Sequence, residues 1–155
     1  LQSPTLFGDY NHANMAWRML NRDMSLSGGP TRLNLEVLAA FSVASSNETT
    51  SGFGFIEDAG SPATANDALG YIFSDGTNFA MRSGAATTAA GLAVDNAWRR
   101  WKIVVTSSGV SWYADGVLQN TTILALEADE WPVSFGMHTF TNNRVLLGGV
   151  NIWYD

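Results

Sequence analysis

The sequence predicts an all-β protein, a sandwich or jelly roll of packed antiparallel sheets. Three observations carry this. Apolar residues recur with a period of two in many short segments, the repeat of a strand with one buried face. Turn pairs and Gly/Pro clusters separate those segments at short intervals. No segment combines a helical apolar stripe with helix caps. The pattern is clearest between Trp98 and Asn120. Trp101, Ile103 and Val105 share one face of a first strand, and Val110, Trp112 and Ala114 share one face of the next. Asp115-Gly116 then predicts a two-residue type I′ hairpin, whose central residues both need positive φ.

The other elements follow in chain order. Residues 1–13, with Pro4 and Gly8, read as an irregular lead-in to a single domain spanning 1–155. Met15, Trp17 and Met19 alternate as a first strand, and Gly28-Gly29-Pro30 breaks the chain after it. Arg32 to Ala44 is the longest strand expected, with Leu33, Leu35, Val37, Ala39 and Phe41 on one face. A helical reading through Leu35, Leu38 and Ala39 competes, but the run lacks a clean cap and lies among strands. Asn47-Glu48-Thr49 matches the N-glycosylation pattern, a short motif that also arises by chance. Gly52 to Glu57 is a strand with Phe53 and Phe55 in phase, followed by a long small-residue loop. Tyr71 to Ser74 and Asn78 to Arg82 form a hairpin about Asp75-Gly76. Ser83 to Asp95 reads as a loop or weak strand. After the central hairpin, Thr121 to Glu130 is a connection that has room for one helical turn. Trp131 to Thr139 is a strand with Val133, Phe135 and Met137 inward, and Arg144 to Tyr154 closes the chain with Val150 and Ile152 alternating.

Composition narrows the function. At 155 residues the chain can bury one sizeable core. Eight basic against fourteen acidic residues give a formal charge of −6, which argues against nucleic acid and against an anionic membrane surface as partners. No apolar run approaches the roughly 18 residues that a membrane-spanning helix needs. There is no cysteine, so neither a disulfide nor a thiolate metal site contributes. Lys102 is the only lysine. A Lys-poor surface of Thr, Ser, Ala and Gly is common on virion and secreted β proteins, which sets the expected localisation at a virion surface or outside the cell. The start at Leu1 reads as that of a processed chain or of a piece of a longer protein.

The run of an aromatic-rich strand, a V-S-W-Y-A-D-G-V-L hairpin, a W-P-V-S-F-G-M strand and a closing V-N-I-W-Y strand resembles the concanavalin A-like lectin and glucanase superfamily, in its laminin-G-like form. G-F-G-F-I-E and G-Y-I-F-S-D-G-T-N-F-A fit the same resemblance, which covers about Leu33 to Tyr154. Domains of this kind serve as carbohydrate-binding modules, adhesins and phage virion accessory proteins, and the fold alone does not choose among them.

Chemistry is sparse. The superfamily's retaining glucanases place carboxylates at E-x-D-x-E on one strand, about 5 Å apart. The nearest match, Glu127-Ala128-Asp129-Glu130, has its last Glu one residue early and lies in a connection. His12 and His138 sit in no nucleophile or metal motif. The resemblance implies calcium as the one cofactor to consider, with Asp58, Asp67, Asp75 and Asp95 as candidates. None lies in a D-x-D-x-D-G array, and Asp75 and Asp115 are accounted for as turn residues. The expectation is therefore a non-catalytic domain with no catalytic residues and no fixed metal. Its partner surface is read from phase: Tyr113, His138 and Trp153 point outward, alongside Arg100 and Lys102. These serve either as a glycan platform or as a surface covered by self-association, other virion proteins or a crossing loop. The leading expectation is a decoration or tail-associated virion module for attachment. A carbohydrate-binding module of a secreted enzyme and a glycoside hydrolase are the alternatives.

Overall fold

The computed structural model describes residues 12–13, 32–42, 52–56, 68–74, 77–84, 86–106, 108–122, 134–138 and 144–155. Among them are eleven strands: β1 (His12–Ala13), β2 (Arg32–Ser42), β3 (Gly52–Ile56), β4 (Ala68–Ser74), β5 (Asn78–Ser83), β6 (Ala86–Ala93), β7 (Arg99–Thr106), β8 (Gly109–Ala114), β9 (Val117–Thr122), β10 (Ser134–His138) and β11 (Arg144–Tyr154). They form two antiparallel sheets. One has six strands in the order β1-β10-β3-β4-β5-β6, and the other five in the order β11-β2-β7-β8-β9.

Alternation builds the core. Leu33, Leu35, Val37, Ala39 and Phe41 of β2, Trp101, Ile103 and Val105 of β7, and Val110, Trp112 and Ala114 of β8 all face the six-stranded sheet and are buried. That sheet answers with Phe53, Phe55, Ile72, Phe79 and Met81. The centre is aromatic. Trp101 lies edge-on to Phe79, with ring centroids 4.7 Å apart, and to Phe41 at 5.8 Å, and it stacks on Trp112 at 6.2 Å. The Trp101 indole N–H donates to the Ala39 carbonyl at 3.2 Å, whereas the Trp112 indole nitrogen is buried with no hydrogen-bond partner. β2 is a strand throughout, so the competing helical reading does not hold.

The Asp115-Gly116 turn forms as expected, with φ of 51° and 82°. Asp115 also fastens it. Its carboxylate accepts from the Arg100 backbone N–H at 2.9 Å and from Arg99 Nη1 at 2.8 Å.

Three features depart from expectation. Ala86–Ala93 is a full strand, where the sequence suggested a loop or weak strand. It pairs with β5 and is tied across the sandwich, the Asn120 amide donating to the Ala89 carbonyl at 3.1 Å. His12–Ala13, inside the expected irregular lead-in, pairs with β10. In β11 the register shifts between Leu147 and Gly149, so Gly148 and Gly149 together oppose Leu38. Such a bulge reverses the phase of the strand. Val145 and Leu147 face the core before it, and Ile152 and Tyr154 face it afterwards. The first strand at Met15–Met19, the sequon, the Asp75-Gly76 turn, and Asp58, Asp67, Glu127 and Glu130 lie outside the described residues.

Candidate functional site

The outer face of the five-stranded sheet carries four of the five residues singled out by phase. Lys102 lies in a cross-strand row with Glu36 on one side and Tyr113 on the other. Trp153 lies opposite Asn34, one row away. The Lys102 ammonium reaches across β2 to sit 5.3 Å from the centre of the Trp153 ring, a cation–π contact. Arg100 approaches Glu36 at 3.5 Å, an exposed pair of small energetic weight. Tyr113 and Trp153 are half-buried. Asn34 is buried on this outward phase because its amide donates to the Asp155 carboxylate at 2.6 Å, beside Trp153.

His138 is elsewhere. It belongs to the six-stranded sheet, where its backbone pairs with His12 on one side and Gly52 on the other. Alternation separates inward from outward positions but does not say which sheet a strand joins.

At the mouth of the β7–β8 pair, Arg99 bridges Asp95 at 2.5 Å and Asp115 at 2.8 Å. The Arg99 guanidinium holds the Asp95 carboxyl below its ordinary range, and hydrogen bonding to Asp95 raises Arg99 in turn. Asp95, a calcium candidate from sequence, is thus committed to an ion pair. No group of three or more potential metal ligands occurs among the described residues.

Two features escaped the sequence reading. Leu38 and Trp98, 45% and 52% exposed, both close over Gly148 on the outer face of the five-stranded sheet, with Leu146 (47% exposed) nearby on β11. On the six-stranded sheet, Tyr71, Phe73 and Ala80 are buried although they face away from the inter-sheet core. The signal for the second was present. Tyr71, Ile72 and Phe73 are consecutive large apolar residues, and a strand buried on both faces reads as a continuous apolar run.

No family model matches the chain, and no curated protein matches it. Solved structures do. The alginate lyase from Corynebacterium sp. superposes with a TM-score of 0.55 at 15% identity, over 81% of this chain and 59% of that one. The alginate lyase AlgAT5 of polysaccharide lyase family 7 gives 0.53 at 9% identity, over 81% and 60%. A carbohydrate esterase from the Shiga toxin-encoding bacteriophage phi24B gives 0.52 at 17% identity, over 79% and 67%. The fold is a concanavalin A-like jelly roll. At these identities the likeness shows the fold alone, and this chain spans about 60% of the length of either lyase.

The comparisons correct two expectations. The jelly-roll sandwich stands, but these neighbours do not support its laminin-G-like form. The expectation of a non-enzyme is overturned as well. It rested on a missing carboxylate pair, which is the signature of glycoside hydrolysis. Two of the three neighbours are lyases and the third an esterase, chemistries that the carboxylate test does not probe.

Proposed function

We propose that this jelly roll is a carbohydrate-directed domain that holds a glycan chain along the outer face of its five-stranded sheet. The observation that carries the proposal is the convergence of Trp153, Tyr113, Lys102 and Arg100 on that one face. Aromatic rings stack on the apolar faces of sugars, and charged groups beside them fix hydroxyls and carboxylates in orientation. The alginate lyases and the phage esterase among the fold neighbours support a carbohydrate as the ligand class. The domain then works as the glycan-binding part of a secreted or virion-borne carbohydrate-active protein. Glycan-array binding followed by titration calorimetry tests this. Trp153→Ala and Tyr113→Ala should each weaken the best ligand about tenfold or more, with thermal unfolding little changed. Unchanged affinity in both variants refutes the face assignment.

A second reading, attachment to a protein partner or to another copy, is favoured by the apolar end formed by Leu38, Trp98 and Leu146. Sedimentation analysis separates the two. Self-association that Trp98→Ser and Leu38→Ser abolish would assign that end to protein contacts.

A further inference from the structure

The sequence holds two Asp-Gly pairs, Asp75-Gly76 and Asp115-Gly116. Asp-Gly is the aspartyl step most open to isomerisation, because glycine has no Cβ to shield its backbone nitrogen from the preceding side chain. The folded chain adds no shield of its own at Gly116, where a Cβ would meet nothing within 4 Å. The Asp115 side chain is 49% exposed at the tip of the β8–β9 hairpin. The reactive pair therefore stands in water on a tight turn.

What opposes reaction is the placement of the Asp115 carboxylate. Oδ1 accepts from the Arg100 backbone N–H at 2.9 Å, and Oδ2 accepts from Arg99 Nη1 at 2.8 Å. The Asp115 backbone N–H donates to the Arg100 carbonyl at 2.8 Å. Arg99 is itself fastened by Asp95. Three bonds thus tie one residue to the start of β7. Ring closure needs the opposite placement. Cβ, Cγ and the Gly116 nitrogen must come into one plane with the Cα and carbonyl carbon of Asp115, which carries the carboxylate away from β7.

We propose that Asp115-Gly116 is a latent site of isoaspartate formation, held closed in the folded protein by Arg99. In the reaction the Gly116 nitrogen attacks Cγ of the protonated Asp115 carboxyl. The N–Cγ bond forms, the Cγ–OH bond breaks, and the amide proton leaves with that hydroxyl as one water. The product is a five-membered succinimide. Water then adds back at either carbonyl. Opening at Cγ restores aspartate. Opening at the main-chain carbonyl frees an α-carboxylate and leaves the chain running through Cγ, one methylene longer. Nothing is oxidised or reduced, and only water leaves and enters. The longer chain no longer fits the two-residue turn that pairs Ala114 with Val117 and Tyr113 with Leu118. This modification and the carbohydrate-directed reading stand independently of each other.

Peptide mapping by chromatography and electron-transfer mass spectrometry follows both Asp-Gly pairs during ageing at neutral pH. The samples are the folded wild-type chain, the same chain in guanidinium chloride, and folded Arg99→Gln and Arg99→Lys. Folded wild-type protein should isomerise at Asp115 about ten times more slowly than the denatured chain, the weight of one hydrogen bond to a charged group. Arg99→Gln should raise the folded-state rate at Asp115 about two- to fivefold, the weight of one exposed ion pair, and Arg99→Lys should raise it less. The rate at Asp75 should be the same in all three folded chains, which separates local release from a general loosening. Equal rates at Asp115 in folded and denatured wild-type chain would overturn the proposal, and that comparison needs no variant to fold. So would an Arg99→Gln rate equal to wild type, or a rise that Asp75 shares.

Discussion

Trp101 and Trp112 make a matched pair for a test of hydrogen bonding in this core. Both are fully buried and their rings stack, but only Trp101 has a partner for its indole N–H. Replacing either by Phe removes a similar volume, about 40 Å³, which at about 24 cal/mol per Å³ costs about 1 kcal/mol. Trp101→Phe also strips the Ala39 carbonyl of its side-chain donor, adding about 1 to 1.5 kcal/mol. Trp112→Phe instead removes a donor that folding leaves desolvated and unpaired, a relief of about 1 kcal/mol that offsets the cavity. The expected costs are therefore about 2 to 2.5 kcal/mol for Trp101→Phe and near zero for Trp112→Phe. Urea unfolding followed by far-ultraviolet circular dichroism resolves such a gap at constant slope. In thermal melts it corresponds to about 4 to 10 °C for a chain of this size. Equal costs, or a larger cost at Trp112, would refute the assignment of the buried N–H groups.

Gly116→Val should cost about 1 to 2 kcal/mol, because a β-branched residue resists positive φ. A Cβ there meets nothing within 4 Å, so the loss is conformational only, and an unchanged urea midpoint would contradict the turn. The Asp95 carboxyl is held below its ordinary 3.8 by Arg99. Its contribution is thus fully present above that value and is lost as pH falls through the lower folded-state value. Arg99→Gln should flatten the acid limb of the stability–pH curve below about pH 4 and leave its shape near neutrality unchanged, as read by melting temperature across a pH series. Trp153→Ala should weaken glycan retention more than it lowers the melting temperature. A large loss of stability with binding intact would make Trp153 a packing residue.

Much of the fold was legible because alternation is a local property. The inward sets of β2, β7 and β8 follow from single-strand phase, and the hairpin between β8 and β9 from two residues. What was not legible depends on distant partners. β6 reads A-T-T-A-A-G-L-A, with little β-branched or aromatic character, and is a strand because β5 and Asn120 supply its partners. His138 was grouped with Tyr113 and Trp153 because all three are outward in phase, yet pairing to β3 puts it on the other sheet.

The bulge at Gly148-Gly149 has a further consequence for how molecules meet. β11 is eleven residues long, and among the described residues no strand pairs with its far side. A straight edge of that length offers a row of open N–H and C=O groups to any other extended chain. The bulge breaks the row near its middle, so an incoming strand can register with one half but not continue along the other. Two short templates replace one long one. Deleting Gly148 should restore the continuous edge and promote strand-by-strand aggregation, visible as thioflavin-positive assembly at concentrations where the parent chain remains dispersed.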